Sequence, residues 1–408
     1  MRFFATQSTL ATLQTQPVVF LIGGDLGYKN FGDTLQLKST VMFYLENTQL
    51  TPVLVMALNR FNSIHDLESL AANHRTDKFI FFTDDGYESP IDPAESRLKP
   101  VDQVAGASTH LLHVYGGGYF VGTNHWVESM THRIATFIEH FSITRYLLSG
   151  GQLDEAGAPF VGKLLHEHRP LLFGLRDEES LRIARSHLPQ YKPQFSFDDV
   201  TELMLRWVGK RRARRSPHDV TEGIAWHIGM TDYTGSQNEA ESIVADIVSA
   251  KDMYPTLAPI VIQAFDEPSH IAMDSLQSIV QLAGGFPYSD YRVVNLSRMA
   301  VDIDHTTNVW PDVAKSLSGV RLAVVSSYHS AMLLILLRVP VYLRAKNDYY
   351  ESKQQALRLA FPYEDFIADP ARFLVDLSDL IRRRKSWMGS LRRTLRREGF
   401  YVKSRWRS

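Results

Sequence analysis

The sequence predicts an α/β protein made of two Rossmann-like, doubly wound domains facing a cleft. Two observations predict it. Short apolar, β-branched runs alternate with amphipathic stretches, and this alternation lapses once, in a basic run near residue 210, before it restarts. The length, 408 residues, exceeds one ordinary core, and it suits two domains of roughly 150 to 200 residues each.

The elements follow in order. Val18 to Ile22 is continuously apolar and reads as a buried strand. A loop over Gly23 to Asp33 leads into a helix over 34–47. Pro52 to Ala57, Phe79 to Phe82 and Leu111 to Tyr115 read as further strands. Val127, Met130, Ile134, Phe137, Ile138 and Phe141 share one helical face. Thr144 to Leu148, Leu171 to Gly174 and Phe195 to Phe197 complete the first set of strands. The grammar restarts at Gly223 to Ile228, with a helix over 239–250 and strands at 259–264, 291–295, 322–326 and 341–343. A short apolar helix spans Ser330 to Leu337. The domains are therefore drawn as an extension over 1–17, an N-terminal domain over 18–208 and a basic linker over 209–220. A C-terminal domain over 221–380 and a basic amphipathic tail over 381–408 follow.

Composition excludes several classes. Hydrophobic residues make up 44% and charged residues 22%, as in a folded chain rather than a disordered one. With no cysteine, disulfides, thiolate metal sites, iron–sulfur clusters and cysteine nucleophiles are all ruled out. The longest near-apolar run, Ala331 to Leu343, carries Arg338 and Pro340 and falls short of the ~20 residues of a membrane span. Residues 1–17 lack the apolar segment of a secretory signal, so a cytoplasmic protein is expected.

The net charge of -1 hides an asymmetry. From Arg382 to Ser408 there are eleven Lys and Arg residues and one acid, Glu398, so the tail is +10 and the rest of the chain -11. Trp387, Met388, Leu391, Leu395, Phe400, Tyr401 and Trp406 are interleaved with the cations. That mixture suits peripheral contact with the inner face of an anionic membrane. Nucleic acid matches the charge alone. A solvated tail is the bland reading of the same run.

Polar residues gather where strands are expected to end, which is where doubly wound sheets bind ligands. The first group is Gly27, Asn30, Gly32 and Asp33. Its glycines admit close backbone approach, and the following helix attracts anions. The second is Gly116-Gly117-Gly118, with Tyr119, His125 and Trp126 beyond it. A lone glycine run without an acidic residue ~20 positions later does not make a nicotinamide site. The third is Gly150-Gly151-Gln152 with Arg176-Asp177 and Asp198-Asp199. An Arg at a strand end presents a planar fork to phosphate or carboxylate, although a plain Arg–Asp pair uses the same residues. The fourth is Ser326-Ser327-Tyr328-His329, which places an imidazole at the mouth of a helix as a general acid/base candidate. That helix end disfavours imidazolium, and a bound dianionic phosphate would offset it. Asp84-Asp85 and Asp302-Ile303-Asp304-His305 are short acid groups of the kind that cap loops, so no metal is expected.

Taken in order, these groups resemble the polysaccharide pyruvyl transferase family. The resemblance runs over Gly27-x-x-Asn30-x-Gly32-Asp33, Gly116 to Gly118, Gly151-Gln152, Arg176-Asp177-x-x-Ser180, Asp198 and Ser327-Tyr328-His329. Arg338-Val339-Pro340 and Lys346 resemble its closing segment, so about residues 18 to 350 are covered. Many members carry Arg where this chain has Ser327; Arg338, Arg344 or Lys346 would then replace it. The resemblance implies a GT-B-like fold, the acceptor on the N-terminal domain, and no cofactor. It implies transfer of pyruvate from phosphoenolpyruvate to two hydroxyls of a sugar in a surface glycan or a lipid-linked precursor. His329, Asp33 and Asp198 would be catalytic, and Arg176, Asn30, Gly27, Gly117, Gly118, Gln152, Ser327 and Lys346 would bind substrate. A nucleotide-sugar glycosyltransferase and a catalytically inactive glycan-binding homologue are the rival readings.

Overall fold

The computed structural model describes residues 1–24, 30–61, 66, 78–83, 91–93, 96–102, 109–122, 126–209, 222–227, 230–231, 240–265, 272–273, 291–304, 310–345 and 347–400. Backbone contacts divide the chain into two units. One comprises Met1–Gly27, Gln36–Thr201 and Leu380–Ser408; the other comprises Tyr28–Leu35 and Glu202–Asp379. Both are α/β, each built on a mainly parallel sheet.

The first unit holds nine strands: β1 (Arg2–Ala5), β2 (Val18–Ile22), β3 (Thr51–Ala57), β4 (Phe79–Thr83), β5 (Lys99–Pro100), β6 (Leu111–Tyr115), β7 (Tyr146–Gly151), β8 (Leu172–Leu175) and β9 (Gln194–Phe195). They run β5-β1-β4-β3-β2-β6-β7-β8-β9 across the sheet. All pairs are parallel except those of β1, which runs antiparallel to both β4 and β5. Among its helices are α1 (Gln7–Thr15), α2 (Phe31–Asn47), α3 (Trp126–His140), α4 (Ala158–Glu167) and α5 (Glu178–His187), the opening residues of α2 belonging to the other unit. The sheet is covered on both faces, and the period of two sorts its side chains. Val18, Phe20 and Ile22 join one core with Ile134, Phe137 and Val161, while Val19 and Leu21 join another with Leu37, Val41 and Tyr44.

Besides Tyr28–Leu35, the second unit takes in α6 (Thr201–Gly209) from Glu202 onward and holds a five-stranded, all-parallel sheet. Its strands are β10 (Gly223–His227), β12 (Ala258–Gln263), β14 (Arg292–Asn295), β15 (Val320–Val325) and β16 (Val341–Leu343), in the order β14-β12-β10-β15-β16. A separate ribbon pairs β11 (Met230–Thr231) with β13 (Ala272–Met273). Helices α7 (Ala240–Met253), α8 (Leu296–Val301), α9 (Val313–Ser316), α10 (Tyr328–Leu336), α11 (Asp348–Leu357) and α12 (Tyr363–Ala368) accompany it. Ile224 and Trp226 pack with Ile243, Ile247, Phe366 and Ile367. Helix α10 is apolar nearly all round because nearly all of it is buried.

Three expectations need correction. Residues 1–17 are not an appended extension: β1 pairs along its whole length with β4, and α1 is capped by Thr6. Within the segment drawn as a basic amphipathic tail, the described residues are packed into the first unit rather than appended to it: residues 378–397 form α13 (Ser378–Arg397). Its Trp387, Met388, Leu391 and Leu395 lie in the same core as Tyr44 and Leu54, each buried side chain contributing ~1.5 to 3 kcal/mol. The strand drawn to Phe197 stops at Phe195, because Phe197 takes φ 55°, a left-handed conformation that cannot extend a strand. The basic linker over 210–220 lies outside the described residues, as do Tyr401 and Trp406. Among the described residues, no helix is long and apolar enough to cross a membrane.

Candidate functional site

Polar residues collect at the carboxyl edge of each sheet. In the first unit they follow four neighbouring strands, β6 to β9. Gly116 and Gly117 turn the chain after β6 at φ 62° and 85°, which is why glycine stands there. A Cβ on Gly116 would overlap the Gln36 amide, and one on Gly117 the Tyr119 ring. Gly118 is buried beside them.

Asp199 is the hub beneath this turn. Its Oδ2 accepts from Gly116 N at 2.9 Å and from Ser149 Oγ at 2.7 Å; its Oδ1 accepts from Arg384 Nη1 at 2.9 Å. Arg384, on α13, also donates to Ser196 O at 2.9 Å. Behind Ser149 stands His113, its Nε2 at 2.7 Å from Ser149 Oγ and its Nδ1 at 3.0 Å from Tyr44 OH. Because Ser149 gives its proton to the carboxylate, it must accept from His113. The direction is therefore fixed as Tyr44 O–H to Nδ1, Nε2–H to Ser149, Ser149 O–H to Asp199. This requires neutral imidazole. Burial, then the nearby Arg384 charge, lowers the His113 pKa from 6.5 to about 3. Burial also raises the Asp199 carboxyl, with Arg384 pulling against it.

Asp198 is fully buried at 0% exposure. Gln36 Nε2 donates to both its oxygens, at 3.2 and 3.3 Å, and Val200 N donates to Oδ1 at 3.1 Å. Arg176 Nη1 lies 3.9 Å from Oδ2. The Arg176 guanidinium is only 3% exposed, donates to Gln152 Oε1, and lies 3.8 Å from Asp177. The fork expected to meet phosphate is thus engaged by three protein groups. Gln152 is tied in turn to the glycine turn: its N–H donates to Gly117 O at 3.0 Å, which joins the ends of β6 and β7. Asp177 caps α5, its Oδ1 accepting from Ser180 N at 2.7 Å. Burial raises its pKa, and Arg176 opposes the shift.

In the second unit, the segment around Asn30 meets the carboxyl edge of the five-stranded sheet. Asn30 forms a bridge with Phe265, and Phe31 N donates to Ala264 O at 2.7 Å, just past β12. Asn30 Oδ1 accepts from Gly32 N at 2.8 Å and so shapes the turn into α2. Asp33 stands half-buried in the first turn of that helix. His329, half-buried at the start of α10, lies against Gly32 so closely that a Cβ there would overlap its ring. Ser327 caps α10, its Oγ accepting from Ser330 N at 3.3 Å. The ring of Tyr328 meets that of His329 edge-on, with centroids 5.2 Å apart.

The expected residues therefore fall into two sets, each described within its own unit. Gly117, Gly118, Gln152, Arg176 and Asp198 gather in the first, and Asn30, Asp33, Ser327 and His329 in the second. Gly27 and Lys346 lie outside the described residues, as do Asp84, Asp85, His125 and His305. Of the cations expected to replace an Arg at 327, Arg344 is paired with Asp246, and Arg338 approaches Asp376 at 3.8 Å. Among the described residues, no three His, Asp or Glu side chains are grouped to hold a metal ion.

Sequence reasoning missed Gln36, His113, Ser149 and Arg384. His113 and Ser149 had a signal, since each is a polar residue in or at the end of an apolar run that had to be buried, whereas Gln36 sits among polar residues of α2. Arg384 was hidden in a basic cluster.

No family model matches the chain, and no curated protein matches it. Solved structures are similar in backbone. UDP-GlcNAc 2-epimerase from Neisseria meningitidis bound to UDP-GlcNAc has a TM-score of 0.42 at 10% identity, over 91% of this chain and 99% of that one. Arabidopsis thaliana UGT89C1 complexed with UDP-L-rhamnose has a TM-score of 0.43 at 10% identity, over 93% and 94%. MurG of Acinetobacter baumannii has a TM-score of 0.38 at 10% identity, over 94% of each chain.

Proposed function

We propose that this protein is a sugar-modifying transferase, and specifically one that moves pyruvate from phosphoenolpyruvate onto two hydroxyls of a sugar. The observation that carries the reading is the seating of His329 on Gly32. Two parts of the ordered motif set, from opposite ends of the sequence, meet at one sheet edge with Asn30 and Asp33 nearby.

In this reading His329 is the general acid. It protonates the methylene carbon of the enol ester while a sugar hydroxyl adds to the neighbouring carbon and loses its proton. The carbon–oxygen bond to phosphate then breaks, and phosphate leaves. A second hydroxyl of the same sugar attacks the resulting cation, loses its proton and closes the ketal. Asp33, half-buried, serves as the hydroxyl base. Asp198 has no exposed surface and acts instead as a positioning group, with Arg176 and Gln152. The amino end of α10, capped by Ser327, attracts the phosphate.

The second reading is a glycosyltransferase using a nucleotide sugar. UDP-GlcNAc and UDP-L-rhamnose are named as ligands of the similar structures and phosphoenolpyruvate is not, so on that count this reading stands closer to the comparisons. One assay separates the two. The protein is incubated with candidate sugar acceptors and either phosphoenolpyruvate or UDP- and TDP-sugars. Phosphate release with a pyruvate-sized mass gain on the acceptor supports pyruvyl transfer. Nucleotide release instead moves the assignment to glycosyl transfer, and release of neither leaves an inactive glycan-binding protein.

A further inference from the structure

We propose that the outward face of α13 docks the protein on an anionic lipid bilayer by charge alone, without inserting side chains. The helix has two faces. Arg384, Trp387, Met388, Leu391 and Leu395 are buried in the first unit. Arg382, Lys385, Arg392, Arg393, Arg396 and Arg397 are exposed and recur at helical spacing on the other side. They form a straight stripe, roughly 22 Å long at 1.5 Å per residue.

Charge complementarity names the occupant. The tail from Arg382 is +10 and the remainder of the chain -11, so an anionic plane attracts the stripe and repels the rest, which orients the protein. Several acids meet this helix away from residues 392–396: Asp199 pairs with buried Arg384, Glu178 with half-buried Arg383, and Asp379 of the first turn lies 3.5 Å from Arg358, while Glu398 lies 3.4 Å from Arg145 and 3.3 Å from Arg397. The apolar residues of α13 are committed to the core, so this helix attaches electrostatically. Single-stranded nucleic acid is the poorer match, because its binding needs exposed aromatic platforms, and Trp387, the aromatic residue of α13, is 2% exposed. The inference does not depend on which reaction the protein catalyses.

The test is co-sedimentation of the full chain with phosphatidylserine-containing vesicles and with pure phosphatidylcholine vesicles. Binding is expected for the former alone, and it should be lost as salt is raised from about 0.1 M to about 0.5 M. Combined R392Q, R393Q, R396Q and R397Q substitutions should weaken it on the order of 1,000-fold. Equal binding to both vesicles, salt-insensitive binding of the unmodified protein, or retention by the substituted protein overturns the proposal. So does displacement from vesicles by a duplex oligonucleotide at equal phosphate, which would assign the face to nucleic acid.

Discussion

The two sheet edges handle polarity in opposite ways. At the edge of the nine-stranded sheet, Gln36, Asp198 and Asp199 are at most 2% exposed, and the two carboxylates are each held by several partners. At the edge of the five-stranded sheet, Asn30, Asp33, Ser327 and His329 are half-buried. A buried, hydrogen-bonded network fixes geometry and resists change. A half-buried imidazole can meet a substrate and exchange a proton. The contrast teaches that a motif residue's chemical class does not set its role: Asp198 and Asp33 are both carboxylates, and burial separates them.

The sharpest way to break this division is to remove the imidazole. His329→Ala should lower kcat by about 10²- to 10⁴-fold, the usual worth of a general acid, with the thermal midpoint nearly unchanged. Gly32→Ala should lower activity as well, because the added methyl displaces the ring. Turnover and melting measured on the same preparations check both. Retained activity in His329→Ala would remove the catalytic role from the second unit.

The next largest effect belongs to the buried side of the contrast. Arg384→Ala leaves the Asp199 carboxylate without its cation in a site where both are nearly inaccessible. Losing one partner of a buried pair costs roughly 3 to 5 kcal/mol. Urea denaturation should show that loss, while Arg392→Ala on the exposed face should change stability by less than about 0.5 kcal/mol. Equal effects at the two positions would refute the two-faced assignment of α13.

Those two arginines also mark how far the sequence was readable. The strands legible by apolar continuity, such as Val18–Ile22 and Leu111–Tyr115, occur with the same bounds, because burial on both faces demands continuous apolar character. Strand β1 was not legible: Arg2–Ala5 is four residues long and opens on an exposed Arg, so its apolar run is too short to stand out. The glycine turns were visible from composition, but their partner was not. Asp199 receives Arg384 from the far end of the chain, and nothing local distinguishes that arginine from its basic neighbours except the spacing 384, 387, 388, 391, 395 of the buried face. Charge density pointed to solvent, whereas helical period pointed to a core.

The smallest effect tests the directed hydrogen-bond chain. His113 has its pKa lowered from 6.5 to about 3, chiefly by burial. The folded protein therefore leaves it neutral across a range where the unfolded chain binds a proton. Its contribution to stability is complete above pH 6.5 and is lost as pH falls toward about 3, at up to about 1.4 kcal/mol per pH unit. His113→Gln keeps an amide able to donate to Ser149 but cannot take up a proton. Denaturation followed from pH 7 to pH 4 should thus show a shallower decline in the variant, by about one proton's worth of slope. Parallel curves would mean that the imidazole is already protonated in the folded state, which would reverse the Tyr44 contact, with Nδ1–H donating to the phenol oxygen, and leave the Ser149 to Asp199 step as it is.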